Sequence, residues 1–486
     1  MRLAALLVAA GLDGPVEVHG GAHAEDVEVG DIVLDSRTAS AGSLFCCIAG
    51  SRVDGHELAG AAAAAGAVAV LAERRVDVPA SVAQVLVPSV RGAVGRVASA
   101  FHGHPSRQLT VVGVTGTNGK TTTTHLLRSV FQANGRKAAV IGTLTSGPGA
   151  PPTTPDAPAL QEQLAGLRDD GTTFVAMEVS SHGLEMRRVD GTWFAATAFT
   201  NLSQDHLDLH GTMEAYFAAK ARLFTPAFTD LAVVNLDDQR GRLLLDAATV
   251  RTVGWSLADV EVLGLEPSGS SLRWRGTELR VPLAGRLNVA NAVGAATIAA
   301  ELGLTPAQIA IGLAAAPPVR GRFEPVLGSQ PFSVVVDYAH SPDGLEHLLT
   351  SARELVEPGR RVIVVFGAGG DRDPRKRPRM GEVTARLADV VVVTSDNPRG
   401  EDPASIIDAI VGGMAAEAAA IVEPDRRAAV ERALALAEPG DLVVLAGKGH
   451  ETTQTSGDRV VPFDDATVAR ELLLAAGHAM SEDGHP

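Results

Sequence analysis

The chain predicts an α/β protein of three units, each laid over a parallel or mixed sheet, and three observations carry that reading. Its 486 residues are enough for about three domains. Apolar runs of strand length recur, each followed by a glycine-rich or polar cluster and then a helical stretch, the pattern of a largely parallel sheet. One of these runs, Val111-Val-Gly-Val-Thr, feeds directly into Gly116-Thr-Asn-Gly-Lys-Thr-Thr122 and an amphipathic helix carrying Leu126, Leu127 and Val130. A glycine turn between a strand and a helix lets backbone N–H groups and the positive helix end close around phosphate oxygens.

The first unit spans 1–106. The short apolar run Leu3–Ala10 behind Arg2, with the triplet Ala22-His-Ala24, imitates a secretory signal. The run is short and Asp13 and Glu17 interrupt the approach, so a first helix of a cytoplasmic protein is expected instead. Ile32-Val-Leu-Asp-Ser-Arg37 and Leu44-Phe-Cys-Cys-Ile48 read as strands, 57–65 as an alanine-rich helix and Ala67–Ala72 as a strand. Asp35, Ser36 and Arg37 could bind a polar ligand, but standing alone they read as an ordinary turn. The two cysteines, Cys46 and Cys47, are adjacent, which excludes a disulfide framework and any metal-ligand spacing. They read as small buried residues.

The second unit, 107–328, begins with the phosphate-loop strand and continues with strands Thr173–Val179, Ala195–Thr200 and Leu231–Asn235. Within the loop, Lys120 suits the β- and γ-phosphates and the Thr121 hydroxyl suits a magnesium ion. The usual G-x-x-x-x-G-K-[ST] pattern would place glycine at 114, where this chain has Val114, so a distinct subfamily of phosphate loop is expected. The segment Gly147-Pro-Gly-Ala-Pro-Pro152 reads as a loop over the nucleotide site. Met177-Glu-Val-Ser-Ser-His182 puts Glu178 where such enzymes keep a magnesium carboxylate, and Asn201–His210 packs Asp and His behind the next strand, donors suited to a divalent ion. Lys220 lies on a helix at Met213–Leu223, where by itself it reads as a snorkelling lysine.

The third unit, 329–486, has strands Phe332–Asp337, Arg361–Phe366, Val390–Thr394 and Leu442–Ala446, a second doubly wound sheet with ligands expected beyond the strands' carboxyl ends. Gly367-Ala-Gly-Gly370 is followed by Arg372 where a dinucleotide loop needs glycine, which rejects a nicotinamide site. Across the whole chain the net charge is −15, which disfavours nucleic acid or an anionic membrane as partner. No run has transmembrane length. Only five lysines stand against thirty-seven arginines, which draws attention to those at 120, 220 and 448.

Read together, GTNGKTT at 116–122, Thr153-Thr154-Pro155, MEVSSHGL at 177–184, TNLSQDHLDLHG at 200–211, AAK at 218–220, Asn288–Asn291, GRFE at 321–324, VDYAHSP at 336–342, DNPR at 396–399 and GKGHE at 447–451 resemble the Mur ligases of peptidoglycan synthesis along nearly the whole chain. The resemblance implies a P-loop ATPase-like central domain between an N-terminal α/β domain for a uridine nucleotide and a C-terminal Rossmann-like domain. It also implies ATP-dependent addition of meso-2,6-diaminopimelate to the D-glutamate γ-carboxyl of UDP-N-acetylmuramoyl-L-alanyl-D-glutamate through an acyl phosphate.

By position, the resemblance puts Leu34, Ser36, Ser51, Arg52 and Val53 on the UDP-sugar and Thr153, Thr154, Ser180 and Arg188 on the muramoyl dipeptide or its phosphates. Gly116, Thr117, Asn118, Gly119, Lys120, Thr121 and Thr122 take the ATP phosphates, and Asn291, Arg322 and Asp337 face its adenosine. Two magnesium ions are implied, one on Thr121 and Glu178, the other on His206 and a carbamoylated Lys220, with Lys120, Glu178, His206 and Lys220 catalytic. Arg372, Asp396, Asn397, Pro398, Arg399, Gly447 and Glu451 would hold diaminopimelate, whose second carboxylate a guanidinium can grip bidentately. Pro152 and Met186 depart from the Asn and Gln of some relatives, which puts one substrate contact each in question. A cytoplasmic monomer without membrane insertion is expected. Of the competing readings, the DSR turn argues against a folylpolyglutamate-type ligase and DNPR against a lysine-adding relative. Against a nucleotide switch or transport ATPase, no [N/T]KxD guanine motif occurs at any of the five lysines, and the loop lacks the usual first glycine.

Overall fold

The computed structural model describes residues 1–12, 17–20, 24–50, 53–145, 152–415 and 419–480. The residues Ala22 and His23 of the signal-like triplet, Ser51 and Arg52 of the expected uridine turn, and 147–151 of the proline-rich loop lie outside them. The first sheet contains β1 (Glu17–His19), β2 (Asp31–Val33), β3 (Ser43–Cys46), β4 (Ala69–Ala72) and β5 (Ala83–Leu86) in the order β1-β5-β4-β3-β2, parallel except for β1. The N-terminal apolar run is a helix, Leu3–Ala9, whose Leu3 and Leu6 are wholly buried in the same cluster as Val90, Val94 and Val97 of helix Val90–Phe101. Cys46 and Cys47 are free and buried on opposite faces of the sheet, and burial pushes both thiols up.

The second sheet is wholly parallel. It comprises β6 (Thr110–Thr115), β7 (Ala138–Ile141), β8 (Phe174–Glu178), β9 (Ala196–Phe199), β10 (Leu231–Asn235) and β11 (Arg251–Trp255), in the order β11-β10-β9-β6-β8-β7. The phosphate-loop strand β6 is therefore central, and its two neighbours are the strand ending in Glu178 and the strand that precedes Asn201–His210. All its residues but Thr110 are buried, which suits the continuous apolar run that a strand covered on both faces requires. Helices Lys120–Ala133 and Arg286–Glu301 cover one face, with Leu126, Leu127 and Val130 meeting Val289, Ala292 and Val293. A three-stranded antiparallel sheet, β12 (Glu261–Glu266), β13 (Gly269–Trp274) and β14 (Thr277–Val281), adds Leu272, Trp274, Leu279 and Val281 to that core. Sequence reasoning passed over this sheet, although the inward alternation of Ser270, Leu272 and Trp274 marks it.

The third sheet contains β15 (Glu324–Pro325), β16 (Ser333–Asp337), β17 (Val362–Phe366), β18 (Val390–Val393), β19 (Ala420–Val422) and β20 (Leu442–Ala446). Their order is β15-β16-β20-β17-β18-β19, parallel but for the edge strand β15. Through the pairing of β15 with β16, Glu324 and Pro325 join this sheet. Chain order runs outward from β17 through β18 to β19 and then returns to β20 on the other side of β17. That reversal opens a crevice at the carboxyl ends of β17 and β20. A hairpin, β21 (Thr453–Ser456) and β22 (Arg459–Pro462), follows β20 and folds beside that crevice. No helix among the described residues is long and apolar enough to cross a membrane.

Candidate active site across two adjoining cavities

The phosphate loop is built by close approach. A Cβ at Gly116 would lie 1.9 Å from the Thr200 hydroxyl, and one at Gly119, which has φ +85°, would lie 2.3 Å from Asn291 Oδ1, so both positions require glycine. The loop is fastened to the segment after β9. Thr117 N donates to Asn201 O at 2.9 Å, Asn118 N to Asn201 Oδ1 at 2.9 Å, and Thr200 Oγ1 to Asn118 O at 2.6 Å. Lys120 opens helix Lys120–Ala133 and folds its ammonium back onto Gly116 O and Thr117 O, at 2.9 and 2.8 Å. It is half-buried and sits in the helix, not on an exposed loop, because the loop carbonyls draw its charge inward. Burial pushes its pKa down, opposed by the nearby Glu178 carboxylate.

Glu178, 1 % exposed at the end of β8, accepts from Thr121 Oγ1 at 3.1 Å, from Thr143 N at 2.9 Å and from Thr143 Oγ1 at 3.2 Å. Arg322 Nη2 donates to the same Thr121 hydroxyl at 3.2 Å while its guanidinium lies over the Tyr338 ring. Asp337 holds the backbone on either side by accepting from Phe323 N and Ala339 N, both at 2.8 Å. Thr117–Thr122, Asn291, Arg322 and Asp337 all line one cavity of about 280 Å³, and Arg322 reaches its phosphate-loop end.

Lys220 is not a snorkelling lysine. It is 1 % exposed, its Nζ donates to Gly116 O at 2.9 Å, and it lies 4.7 Å from the centroid of the Tyr216 ring. Burial, then the charge of Lys120, depresses its pKa well below the usual lysine value. The ring of Tyr216 packs beside the ammonium. His206, with φ +53°, stands next to Asp205, its Nε2 3.6 Å from that carboxylate. Asp205 and His206 line the nucleotide cavity and also a second one.

That second cavity, about 420 Å³, lies at the crevice of the third sheet. Six residues expected for an amino-acid ligand line it, namely Arg372, Asp396, Asn397, Arg399, Gly447 and Glu451; Pro398 does not. Arg372 is exposed, with no hydrogen-bond or ion-pair partner among the described residues. Arg399, at φ +52°, spends one arm on Gly370 O at 2.7 Å and pairs its backbone N–H with Thr455 O of the hairpin at 3.0 Å. Glu451 Oε2 accepts from Asn397 Nδ2 at 2.7 Å. Sequence reasoning missed Lys376, whose Nζ donates to His340 O at 2.7 Å at the cavity wall. The scarcity of lysine was the signal that could have found it.

The residues expected for the UDP-linked muramoyl dipeptide divide. Thr153 and Ser180 line the nucleotide cavity, and Thr153 Oγ1 lies 3.1 Å from Thr143 Oγ1. Thr154 is wholly buried, its hydroxyl shared with Glu178 O at 3.1 Å and Ser180 Oγ at 3.0 Å, so it acts as a brace between them. Arg188 donates to Thr154 O at 3.0 Å and pairs with Asp156. Met186 Sδ, at one of the departures, accepts from Arg91 Nη1 at 3.1 Å. Leu34, Ser36 and Val53 lie in the first unit and line neither cavity. Asp35 is tied to Arg37 at 2.6 Å, which with the Arg37 backbone N–H holds its pKa near 2.

A phosphate loop opening onto a second, charge-lined cavity of a Rossmann-like unit defines a nucleotide-dependent enzyme of the two-substrate kind. Residues 28–102 match the Mur ligase family catalytic domain, 114–299 the Mur ligase middle domain and 321–449 the Mur ligase glutamate ligase domain. The chain is 43 % identical over 467 residues to the UDP-N-acetylmuramoyl-L-alanyl-D-glutamate–2,6-diaminopimelate ligase of Syntrophomonas wolfei, covering 92 % of this chain and 95 % of that one. It is 42 % identical to the ligase of the same name from Geobacillus kaustophilus, covering 94 % and 97 %. A solved structure of a ligase of that name superposes with a TM-score of 0.66 at 33 % identity, covering 93 % of this chain and 96 % of that one. The chain belongs to the Mur ligase family, as its motifs implied.

Proposed function

We propose that this chain is the ATP-dependent ligase that joins meso-2,6-diaminopimelate to the D-glutamate γ-carboxyl of UDP-N-acetylmuramoyl-L-alanyl-D-glutamate, releasing ADP and phosphate. The observation that carries this reading is the meeting of Arg372, Asn397, Arg399 and Glu451 in a cavity that shares Asp205 and His206 with the phosphate-loop cavity. The names of the relatives support the same substrates.

A carboxylate accepts an amine poorly, so the γ-carboxyl is first phosphorylated by ATP and the amine then displaces phosphate from the acyl phosphate. The chain's part is to bring two anions together. Lys120 turns its ammonium from the loop carbonyls to the γ-phosphate, and the N–H groups of Gly119–Thr122 at the helix end take the phosphate oxygens. Arg322, already touching Thr121, adds a second cation there.

The donor set at Thr121 and Glu178 fits a magnesium ion, since a wholly buried carboxylate and a hydroxyl already face each other at 3.1 Å. His206 and Lys220 would hold a second. Lys220 can serve only as a carbamate, which forms from the neutral amine, and burial supplies that form. Magnesium, when bound, offsets the charge that accumulates between the carboxylate and the γ-phosphate. Thr153, Ser180 and Arg188 face the muramoyl side, and the first unit, with Leu34, Ser36 and the turn at Ser51–Val53, carries the uridine end. The enzyme is expected to work as a cytoplasmic monomer, with units at 1–106, 107–328 and 329–486.

The test is ligation with purified enzyme across a set of amino acids. ADP release should require both the UDP-linked dipeptide and meso-diaminopimelate. L-lysine lacks the far carboxylate, which leaves Arg399 and Arg372 without that partner, so kcat/KM should favour meso-diaminopimelate by about 30- to 1000-fold, roughly 2–4 kcal/mol. Arg399→Ala should erase most of the preference. Comparable kcat/KM for the two amino acids in the unaltered enzyme would refute the specificity while leaving a ligase.

A further inference from the structure

Lys448 follows β20 with no exposed surface, yet it lies at the edge of the amino-acid cavity, outside its lining. Its Nζ donates to Thr453 O at 2.7 Å and lies 3.3 Å from Glu451 Oε2, 3.4 Å from Asn397 Oδ1 and 4.0 Å from Asp396 Oδ1. These atoms belong to three separate segments: the turn after β18, the turn after β20, and the hairpin. The same segments are tied to one another around the ammonium. Asn397 Oδ1 accepts from Thr455 N at 3.0 Å, and Gln454 Nε2 donates to Asp396 O at 2.8 Å. One buried cation therefore sits where the loop bearing Arg399, the turn bearing Glu451 and the strand that pairs with Arg399 all converge.

The charge count sharpens this. Asp396 and Glu451 bring two carboxylates to the cavity, and Lys448 cancels one. Arg426, a buried cation nearby, is matched by Asp465 at 2.7 Å, and the same Nη2 donates to Ala446 O. At this corner one negative charge is left, Arg372 and Arg399 supply positive charge, and elsewhere in the lining Asp205, Asp343 and Asp373 stand against Arg375, Lys376 and Arg379. A ligand end with one ammonium beside one carboxylate complements that arrangement.

We infer that Lys448 is a positioning residue for amino-acid selection: it fixes the Glu451 and Asn397 side chains in one orientation, so that a zwitterionic ligand end is accepted and an end bearing only an ammonium is not. The inference rests on the reading of this cavity as the amino-acid site. Without the ammonium, two carboxylates face each other, Glu451 swings away from Asn397, and the ligand's ammonium is drawn toward the vacated position, out of line with Arg372 and Arg399.

The experiment compares Lys448→Met and Lys448→Gln in the full-length enzyme, at saturating ATP and UDP-linked dipeptide, with meso-diaminopimelate or L-lysine varied. The KM for meso-diaminopimelate should rise by about 30-fold, the size of a lost charged hydrogen bond, and the preference over L-lysine should shrink, while the KM for ATP stays within about threefold. Combined with Glu451→Gln, the loss should be at least about fivefold smaller than the product of the two single losses, since both act through one carboxylate. Multiplying losses, a parallel rise in the ATP KM, an unchanged preference, or failure of both variants to fold would each overturn the inference and leave Lys448 as a packing cation. A wild-type enzyme without preference for meso-diaminopimelate would instead sink the reading of the cavity itself.

Discussion

Lys120 and Lys220 aim their ammonium groups at one atom, Gly116 O, each at 2.9 Å. Two cations cannot share a buried carbonyl without cost, and the charge of Lys120 is one cause of the depressed pKa of Lys220. Conversion of Lys220 to a carbamate, as proposed, would remove that repulsion and turn a cation into an anionic oxygen ligand. Native mass spectrometry in bicarbonate should therefore show the adduct on the wild type and not on Lys220→Ala. That variant should be nearly inactive and partly restored by small carboxylates; full activity without them would end the idea. Lys120→Ala should lower ligation by about three orders of magnitude or more, since charge compensation at a developing anion is at stake. Its circular dichroism should match the wild type, because the ammonium contacts only two loop carbonyls. Near-normal ADP release would remove the ATP site from this loop.

At the scale of elements, helix Lys120–Ala133 carries His125 and the turn after β20 carries His450, both held neutral. Burial, then Arg128 and Arg322, brings His125 to about 4, and burial, then Arg322 and Arg320, brings His450 to about 4. In the unfolded chain each would titrate near the ordinary 6.5. Between those values the unfolded state binds more protons, so stability falls as pH drops from about 6.5 toward 4 and is full above that window. The melting temperature should decline on acidification from pH 7 to 5, and His125→Gln should flatten the decline; an equal slope in the variant would remove His125 as its source.

These elements also show what the sequence made legible. The phosphate loop, the strand ends at Glu178 and Asn201, and the Arg372, DNPR and GKGHE clusters were visible because each follows an apolar run and carries its chemistry within a few residues. The antiparallel sheet at 261–281 and the hairpin at 453–462 were not read, since both are short and partly polar and owe their place to packing against distant segments. The burial of Lys220 and the node at Lys448 depend on contacts across 104 and 51 residues, which no local pattern encodes.

For the whole molecule, Asp205 and His206 line both cavities, and the third unit holds the adjoining Gln204 from outside. Gln204 N donates to Asp343 Oδ2 at 2.8 Å, and Arg379 Nη1 donates to Gln204 Oε1 at 3.0 Å. Asp343 and Arg379 themselves line the amino-acid cavity, so these two contacts tie its wall to the segment that bears His206. Each is worth about 0.5–1.5 kcal/mol as an exposed hydrogen bond, and together they supply about 1–3 kcal/mol of linkage. Arg379→Ala combined with Asp343→Ala should therefore lower kcat/KM for the amino acid by about 5- to 150-fold, the fold-change equivalent of that linkage. Affinity for a non-hydrolysable ATP analogue, measured calorimetrically without the amino acid, should stay within about twofold, because the phosphate loop makes neither contact. If analogue binding fell in step with kcat/KM, the double change would be disturbing the nucleotide cavity itself; if neither moved, the contacts would be incidental to the coupling of the two sites.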